Sequence, residues 1–357
     1  MKQVFALAGF AALSLTGCSA SDSTNEASPL ATSSDPLILA ARAQFKPLPK
    51  GPAELPGVTP TPELVALGTA LYFDPRLSAS HAIACADCHN IGLGGADARS
   101  TSLGHRWQHG GRNAPTVLNA AYNTAQFWDG RAKDLVEQAG GPVSNPVEMA
   151  MPAEQAVATI KSIPGYSTMF AKAFPGDQHA IRMGNVQMAI AAYEATLVTP
   201  NAPFDRFLNG DEKALGAAER RGLKAFMDSG CAACHGGVNM GGAMYAKFGV
   251  TWAPPAELLP PGDLGRFSVT GDEADRYAYK VPSLRNIALT APYFHTGKVW
   301  SLDEAVKVMA KSQLGKTLSQ KETTDITAFL VSLTGDQPKV SIPALPPSTD
   351  GSNRPVD

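Results

Sequence analysis

The chain has 357 residues, with 30 Lys or Arg against 32 Asp or Glu, a net charge of -2 and only 17% charged residues. That near-neutral balance leaves no electrostatic footprint for nucleic-acid binding, and the length suffices for about two ordinary domains with real cores. The 33 Gly and 28 Pro are high counts for a helical protein and predict long, defined loops between short helices.

Residues 1–17 contain one lysine, an apolar stretch from Val4 to Leu15 and then Leu15-Thr-Gly-Cys18, the shape of a lipoprotein-type signal peptide with Cys18 as the lipidated first residue. An ordinary signal peptide followed by an incidental cysteine is the alternative, and export follows from either. No other apolar run approaches the ~20 residues needed to span a bilayer. Membrane contact is therefore expected only through a lipid on Cys18. Residues 18–35, rich in Ser, Thr, Asn and Ala, read as a flexible tether. Thr61-Pro62-Glu63 then supplies a cap, a first-turn proline and an acidic residue before the apolar stripe Leu64, Leu67, Leu71, which predicts a helix start.

The next motif is Cys85-Ala-Asp-Cys88-His89, repeated later as Cys231-Ala-Ala-Cys234-His235. Two Cys-x-x-Cys pairs alone are compatible with zinc or with a redox dithiol. A histidine fixed directly after both pairs is the attachment signature of haem c: the thiols bond to the vinyl groups and the histidine becomes the proximal iron ligand. Two haem c groups are expected, bound through Cys85, Cys88 and His89 and through Cys231, Cys234 and His235. Export leaves these thiols for haem and none for a disulfide.

The chain also repeats itself. Pro115-Thr-Val-Leu-Asn119 through Gly130 aligns without gaps on Pro282-Ser-Leu-Arg-Asn286 through Gly297, and Gly68 with Tyr72 upstream of the first haem motif matches Gly222 with Phe226 upstream of the second. The predicted fold is all-α: two cytochrome c-like domains, each wrapping one covalent haem. The first spans 36–200 and the second 201–337, followed by a Pro-rich tail over 338–357. Val186, Ile190, Tyr193 and Leu197 predict a long helix, and the capping box Ser319-Gln-Lys-Glu322 opens another with Ile326, Phe329, Leu330 and Leu333 inward. Carried past the glycines, the alignment brings Met309 onto Pro142. A methionine at this distance is the usual sixth ligand of an electron-transfer cytochrome c; Met309 takes that role for the second haem, Met240 and Met244 lying too close to His235. The first haem lacks such a methionine. His105 and His109, in a Gly-rich loop, are the nearest replaceable ligands, and an iron so held can bind peroxide or oxygen.

Over essentially its whole mature length the chain resembles a bacterial di-haem cytochrome c peroxidase, through Tyr72-Phe-Asp-Pro-Arg-Leu77, Asn113-Ala-Pro-Thr-Val-Leu-Asn119, Ala125-Gln-Phe-Trp-Asp-Gly-Arg131 and Pro292-Tyr-Phe-His-Thr-Gly-Lys-Val-Trp300. The resemblance implies that His105 is the removable distal ligand of a low-potential, peroxidatic haem and Met309 the distal ligand of a high-potential one. It implies further that Glu148 moves the proton between the peroxide oxygens with Gln138 as helper, and that Trp128 lies between the haems. Asn113 with the carbonyls of Thr290 and Pro292 would hold interdomain Ca2+, and His295 would support the domain interface. The implied substrate is H2O2 and the donor a small cytochrome c or cupredoxin; a homodimer is expected. The implied location is the periplasm, with anchoring at Cys18 and, from Ser19, outer-membrane sorting. A non-enzymatic di-haem cytochrome would need neither Glu148 nor Gln138. The related enzyme that matures a tryptophan-derived quinone has tyrosine where Met309 stands.

Overall fold

The computed structural model describes Met1 and residues 32–355; Cys18, the rest of the predicted export signal and most of the predicted tether lie outside them. The fold is helix-dominated, with two equivalent helix crossings. Pro62–Tyr72 crosses Met183–Glu194, and Ala217–Ser229 crosses Gln320–Val331. Local chemistry sets the ends as the sequence predicts. The Thr61 hydroxyl accepts the Leu64 N–H at 3.2 Å, and the Ser319 hydroxyl accepts that of Glu322 while Glu322 accepts the Ser319 N–H. Each satisfies donors that a helix N-terminus leaves unpaired. The helix predicted through Leu197 stops at Glu194, yet Leu197 is still buried.

Both crossings depend on a glycine. A Cβ on Gly68 would stand 1.8 Å from the Ala189 carbonyl oxygen, and one on Gly222 1.8 Å from that of Asp325. Intrinsic helix propensity favours alanine over glycine by about 1 kcal/mol, so propensity alone makes Gly222→Ala stabilising. The close approach reverses the sign: the helices must part, at a cost of about 3 kcal/mol. Thermal unfolding of the haem-loaded variant is expected to show a lower Tm. An unchanged or raised Tm would contradict this packing.

The sequence repeat is also a structural one. Asn119 and Asn286 both adopt φ of 59°, Phe127 and Phe294 φ of 66° and 67°, and the bridge Gln126–Ala132 recurs as Tyr293–Val299. Helix Leu135–Ser144 recurs as Leu302–Leu314, each capped by the preceding Asp134 or Ser301. The two asparagines meet at one residue: each Nδ2 donates to the Thr199 hydroxyl at 2.8 Å. Thr199 thereby pins the two copies together.

One core holds Leu67, Tyr72, Tyr166, Phe170 and Ile190; the other holds Phe204, Leu223, Phe226 and Phe329. The termini exchange sides. Residues 36–48, assigned by sequence to the first unit, pack instead in the second core: Ile38, Ala41 and Phe45 are buried there, and Phe45 meets Phe204 edge-on at 5.4 Å. The buried Arg285–Asp205 pair secures them, since Arg285 also donates to the Lys46 carbonyl at 3.0 Å. Conversely the C-terminal tail lies along the first unit, where Val340 and Leu345 pack and Ser352 donates to the Ser162 carbonyl. A third cluster sits at the junction: Phe248, Tyr279, Tyr293 and Val299, joined by Trp128. The antiparallel ribbon Tyr245–Lys247 with Ala278–Lys280 borders it. No helix of the described residues is long and apolar enough to cross a membrane.

Candidate active site

In both Cys-x-x-Cys-His motifs the histidine N–H closes a turn onto the first cysteine's carbonyl, at 2.9 Å for His89 and 3.0 Å for His235. That turn puts two thiols and an imidazole on one wall. None of the four thiols is in a disulfide, and burial raises the pKa of Cys88 and Cys231 to about 11. Among the described residues no three His, Cys, Asp or Glu side chains gather as a metal-ion cluster.

The second motif faces an apolar cavity of about 230 Å3, lined by Cys231, Cys234, His235 and Met309. His235 Nδ1 points at the Met240 carbonyl (3.2 Å), so Nε2 is the nitrogen left for a metal. Burial lowers the His235 pKa to about 4, which keeps the ring neutral as ligation requires. Met240 is buried and serves through its backbone, Met244 is exposed, and Met309 stands on the cavity wall. Two thiols, a committed proximal tautomer, a thioether and apolar walls fit haem c.

The first motif repeats this arrangement on its proximal side. His89 is half-buried and its pKa lowered by desolvation; its buried Nδ1 faces the Gly95 and Pro115 carbonyls, without a hydrogen bond of normal geometry. His235 likewise faces the carbonyl of Pro282, the repeat partner of Pro115. The Tyr72 hydroxyl donates to the His89 carbonyl at 2.6 Å. Glu194 lies nearby, buried, and burial lifts its pKa to about 8, which favours its neutral form.

The segment that corresponds to the Met309 helix differs. Pro142 occupies the register of Met309, and its carbonyl accepts the Met149 N–H at 3.2 Å, tying the helix end to the loop beside it. That loop carries Glu148. Asn145 Nδ2 donates to Glu148 Oε1 at 2.8 Å, and burial raises the Glu148 pKa against the opposing pull of Arg131 and Asn145. Gln138 lies one turn before Pro142, on the same helix face, half-buried and with no side-chain hydrogen bond among the described residues.

His105 meets Glu148 through the backbone: its N–H donates to the Glu148 carbonyl at 2.7 Å. Gly104 permits this contact, since a Cβ there would lie 2.1 Å from the Val147 carbonyl oxygen. The histidine's Nδ1 is buried without a partner. His109, the other candidate, is exposed and pairs with Thr101. The loop around His105 is exposed at its tip, where Arg106 and Trp107 take positive φ and Trp107 is 78% exposed. Such segments open at low free energy.

Trp128 reaches from the first unit into the junction cluster. Its Nε1 donates to the Asn113 carbonyl at 2.9 Å, and its ring meets His295 edge-on at 6.0 Å. Asn113 donates its N–H to the His295 carbonyl at 2.7 Å and, with Thr290 and Pro292, lines the same cavity as Met309. His295 stacks on Tyr279 at 4.1 Å, and burial depresses its pKa to about 4 despite the opposing charge of Asp263. Sequence reading missed the network that fixes this junction. Arg112 makes a two-bond contact with Asp263 (2.8 and 2.6 Å) and reaches Asp129 at 2.7 Å. Its aspartates lie 17 and 151 residues away in loops, with no shared period to announce them.

The profile of the di-haem cytochrome c peroxidase family matches residues 62–213, and that of cytochrome c matches residues 219–334. The cytochrome c551 peroxidase of Pseudomonas aeruginosa is 53% identical, over 93% of this chain and 95% of that protein. The cytochrome c551 peroxidase of Nitrosomonas europaea is 47% identical, over 89% and 92% respectively. Among solved structures, a MauG-like protein associated with microbial copper homeostasis superposes with a TM-score of 0.72 at 27% identity, over 81% of this chain and 95% of that one. With two haem-attachment turns, a fold repeated around them and this extent of identity, the chain belongs to the di-haem cytochrome c peroxidase family.

Proposed function

We propose that the enzyme reduces H2O2 to two waters, taking two protons and two electrons that a small cytochrome c or cupredoxin delivers one at a time to the Cys231/Cys234 haem. One observation supports the division of labour: of two equivalent helices, that of the second unit carries Met309, which lines one cavity with His235, and that of the first carries Pro142 in the same register. His/Met ligation raises a haem potential, while an iron without a fixed sixth ligand is open to small molecules. When bound, the haems supply the electron store and the iron that holds peroxide.

The residues of the chain do the rest. His105 would hold the Cys85/Cys88 haem of the oxidised enzyme as a replaceable ligand, and its loop would shift between two arrangements, one of which frees that haem for peroxide once the other haem has gained an electron. Its N–H bond to the Glu148 carbonyl supports a coupled movement of the two loops. Glu148 takes the proton from one peroxide oxygen and returns it to the other; burial holds its pKa above the usual glutamate value, closer to working pH, as proton transfer in both directions requires. Gln138 orients the bound oxygen atoms from the neighbouring helix turn. Trp128 stands between the two units and assists electron passage.

Ca2+ at Asn113, Thr290 and Pro292 belongs to the same proposal, supported by their common cavity wall and by the preference of this ion for oxygen ligands. So do export to the periplasm with a lipid on Cys18, and the homodimer; the first rests on the sequence of residues 1–18 and the second on family membership. The test is stoichiometric. Enzyme carrying two haems per chain is expected to oxidise two equivalents of ferrous small cytochrome c per H2O2 consumed. A fully loaded enzyme that leaves peroxide intact would overturn the assignment.

A further inference from the structure

Lys280 has no role in this account, yet its position is costly. It ends the Ala278–Lys280 strand, its N–H donating to the Trp128 carbonyl at 2.7 Å, and only 5% of the residue is exposed. No carboxylate or hydrogen-bond acceptor of the described residues pairs with its ammonium. The two carboxylates of the junction, Asp129 and Asp263, are already taken by Arg112 and Arg131. Burial alone acts on it, pulling its pKa down to about 8 with no neighbouring charge in compensation. A lysine whose residue is buried and whose ammonium meets no carboxylate is an unfavourable arrangement. Lys280 nevertheless lines the cavity that contains Cys231, Cys234, His235 and Met309.

We infer that Lys280 is the counter-ion of a propionate of the Cys231/Cys234 haem and that this ion pair helps to hold that haem's potential high. The inference rests on a haem occupying that cavity. A carboxylate is the partner the protein itself withholds, and propionates are the only carboxylates haem c carries. A fixed cation beside the macrocycle opposes the extra positive charge of the ferric state, and so favours reduction. Lys280 is a positioning residue: it touches the edge of the group, not the iron or the peroxide.

The test is a spectroelectrochemical titration of the two-haem protein. Lys280→Met keeps the volume and removes the charge. The reduction equilibrium of the Met-ligated haem is expected to shift toward ferric by about tenfold, a fall of about 59 mV for one electron, with the other haem unmoved. Lys280→Arg keeps the charge and is expected to stay within threefold of the parent. If Lys280→Met fails to take up haem, Lys280→Gln carries the same test. A neutral variant within threefold of the parent would overturn the inference, as would a shift confined to the other haem or an Arg variant that falls as far as Met. A parent protein with one haem per chain by pyridine haemochrome count would instead remove the haem assignment beneath it, and the two failures are thus separable.

Discussion

Glu148→Gln is expected to keep both haem spectra and both potentials and to lose turnover with H2O2 by about 10^2- to 10^4-fold, the usual contribution of a positioned acid–base group. Glutamine preserves the volume, and its carbonyl can still accept from Asn145 at the 2.8 Å separation seen for Oε1, so the loop that also holds His105 is not disturbed. What the variant loses is the ability to take a proton and give it back. The sign of the pH dependence follows from burial. The carboxyl must be ionised to accept the peroxide proton, and burial raises its pKa above 4.5. The acid limb of kcat/KM should therefore lie above pH 4.5 in the parent enzyme, activity falling as pH drops through it. Steady-state assays of a fully loaded variant decide the point; unchanged activity would take Glu148 out of the mechanism.

His105→Gly should have the opposite effect. On the proposed gating, in which the imidazole would hold the iron of the first haem, the parent enzyme in its fully oxidised state is expected to ignore peroxide. Removing the imidazole leaves the backbone N–H that bonds Glu148 and the tight Gly104 contact in place. If the closed arrangement makes up about 99% of the oxidised enzyme, its removal raises the apparent reactivity by about 10^2-fold. Rapid mixing of oxidised His105→Gly with H2O2 should show prompt spectral change without prior reduction. An inert, fully loaded variant would contradict the gating role.

The repeat was legible because its signals are local or strictly periodic: cysteine pairs with adjacent histidines, caps at Thr61 and Ser319, and a gapless 167-residue offset that predicted Pro142 and Met309 in one register. The structure gives that offset a physical basis in shared positive φ angles, matching bridges and the two asparagines meeting at Thr199. The roles of Glu148 and Gln138 came only from resemblance, since a lone glutamate in a loop has no pattern of its own. The exchange of termini was not legible. Ile38 and Phe45 carry the same apolar signal whichever core receives them, and the choice is made by Phe204, Arg285 and Asp205 far along the chain. Arg112 with Asp263, and Lys280 with its missing partner, escaped for the same reason: burial of a charge is a property of three-dimensional packing, and no local pattern sets either residue apart from other cations of the chain.

The central claim is that reduction at the Met309 side opens the His105 side. Stopped-flow spectroscopy with H2O2 on the same preparation, once fully oxidised and once reduced by a single electron, addresses it most directly. The account predicts that the oxidised enzyme stays unchanged and the half-reduced enzyme consumes peroxide at once. Equal reaction of both states, or of neither, would contradict it.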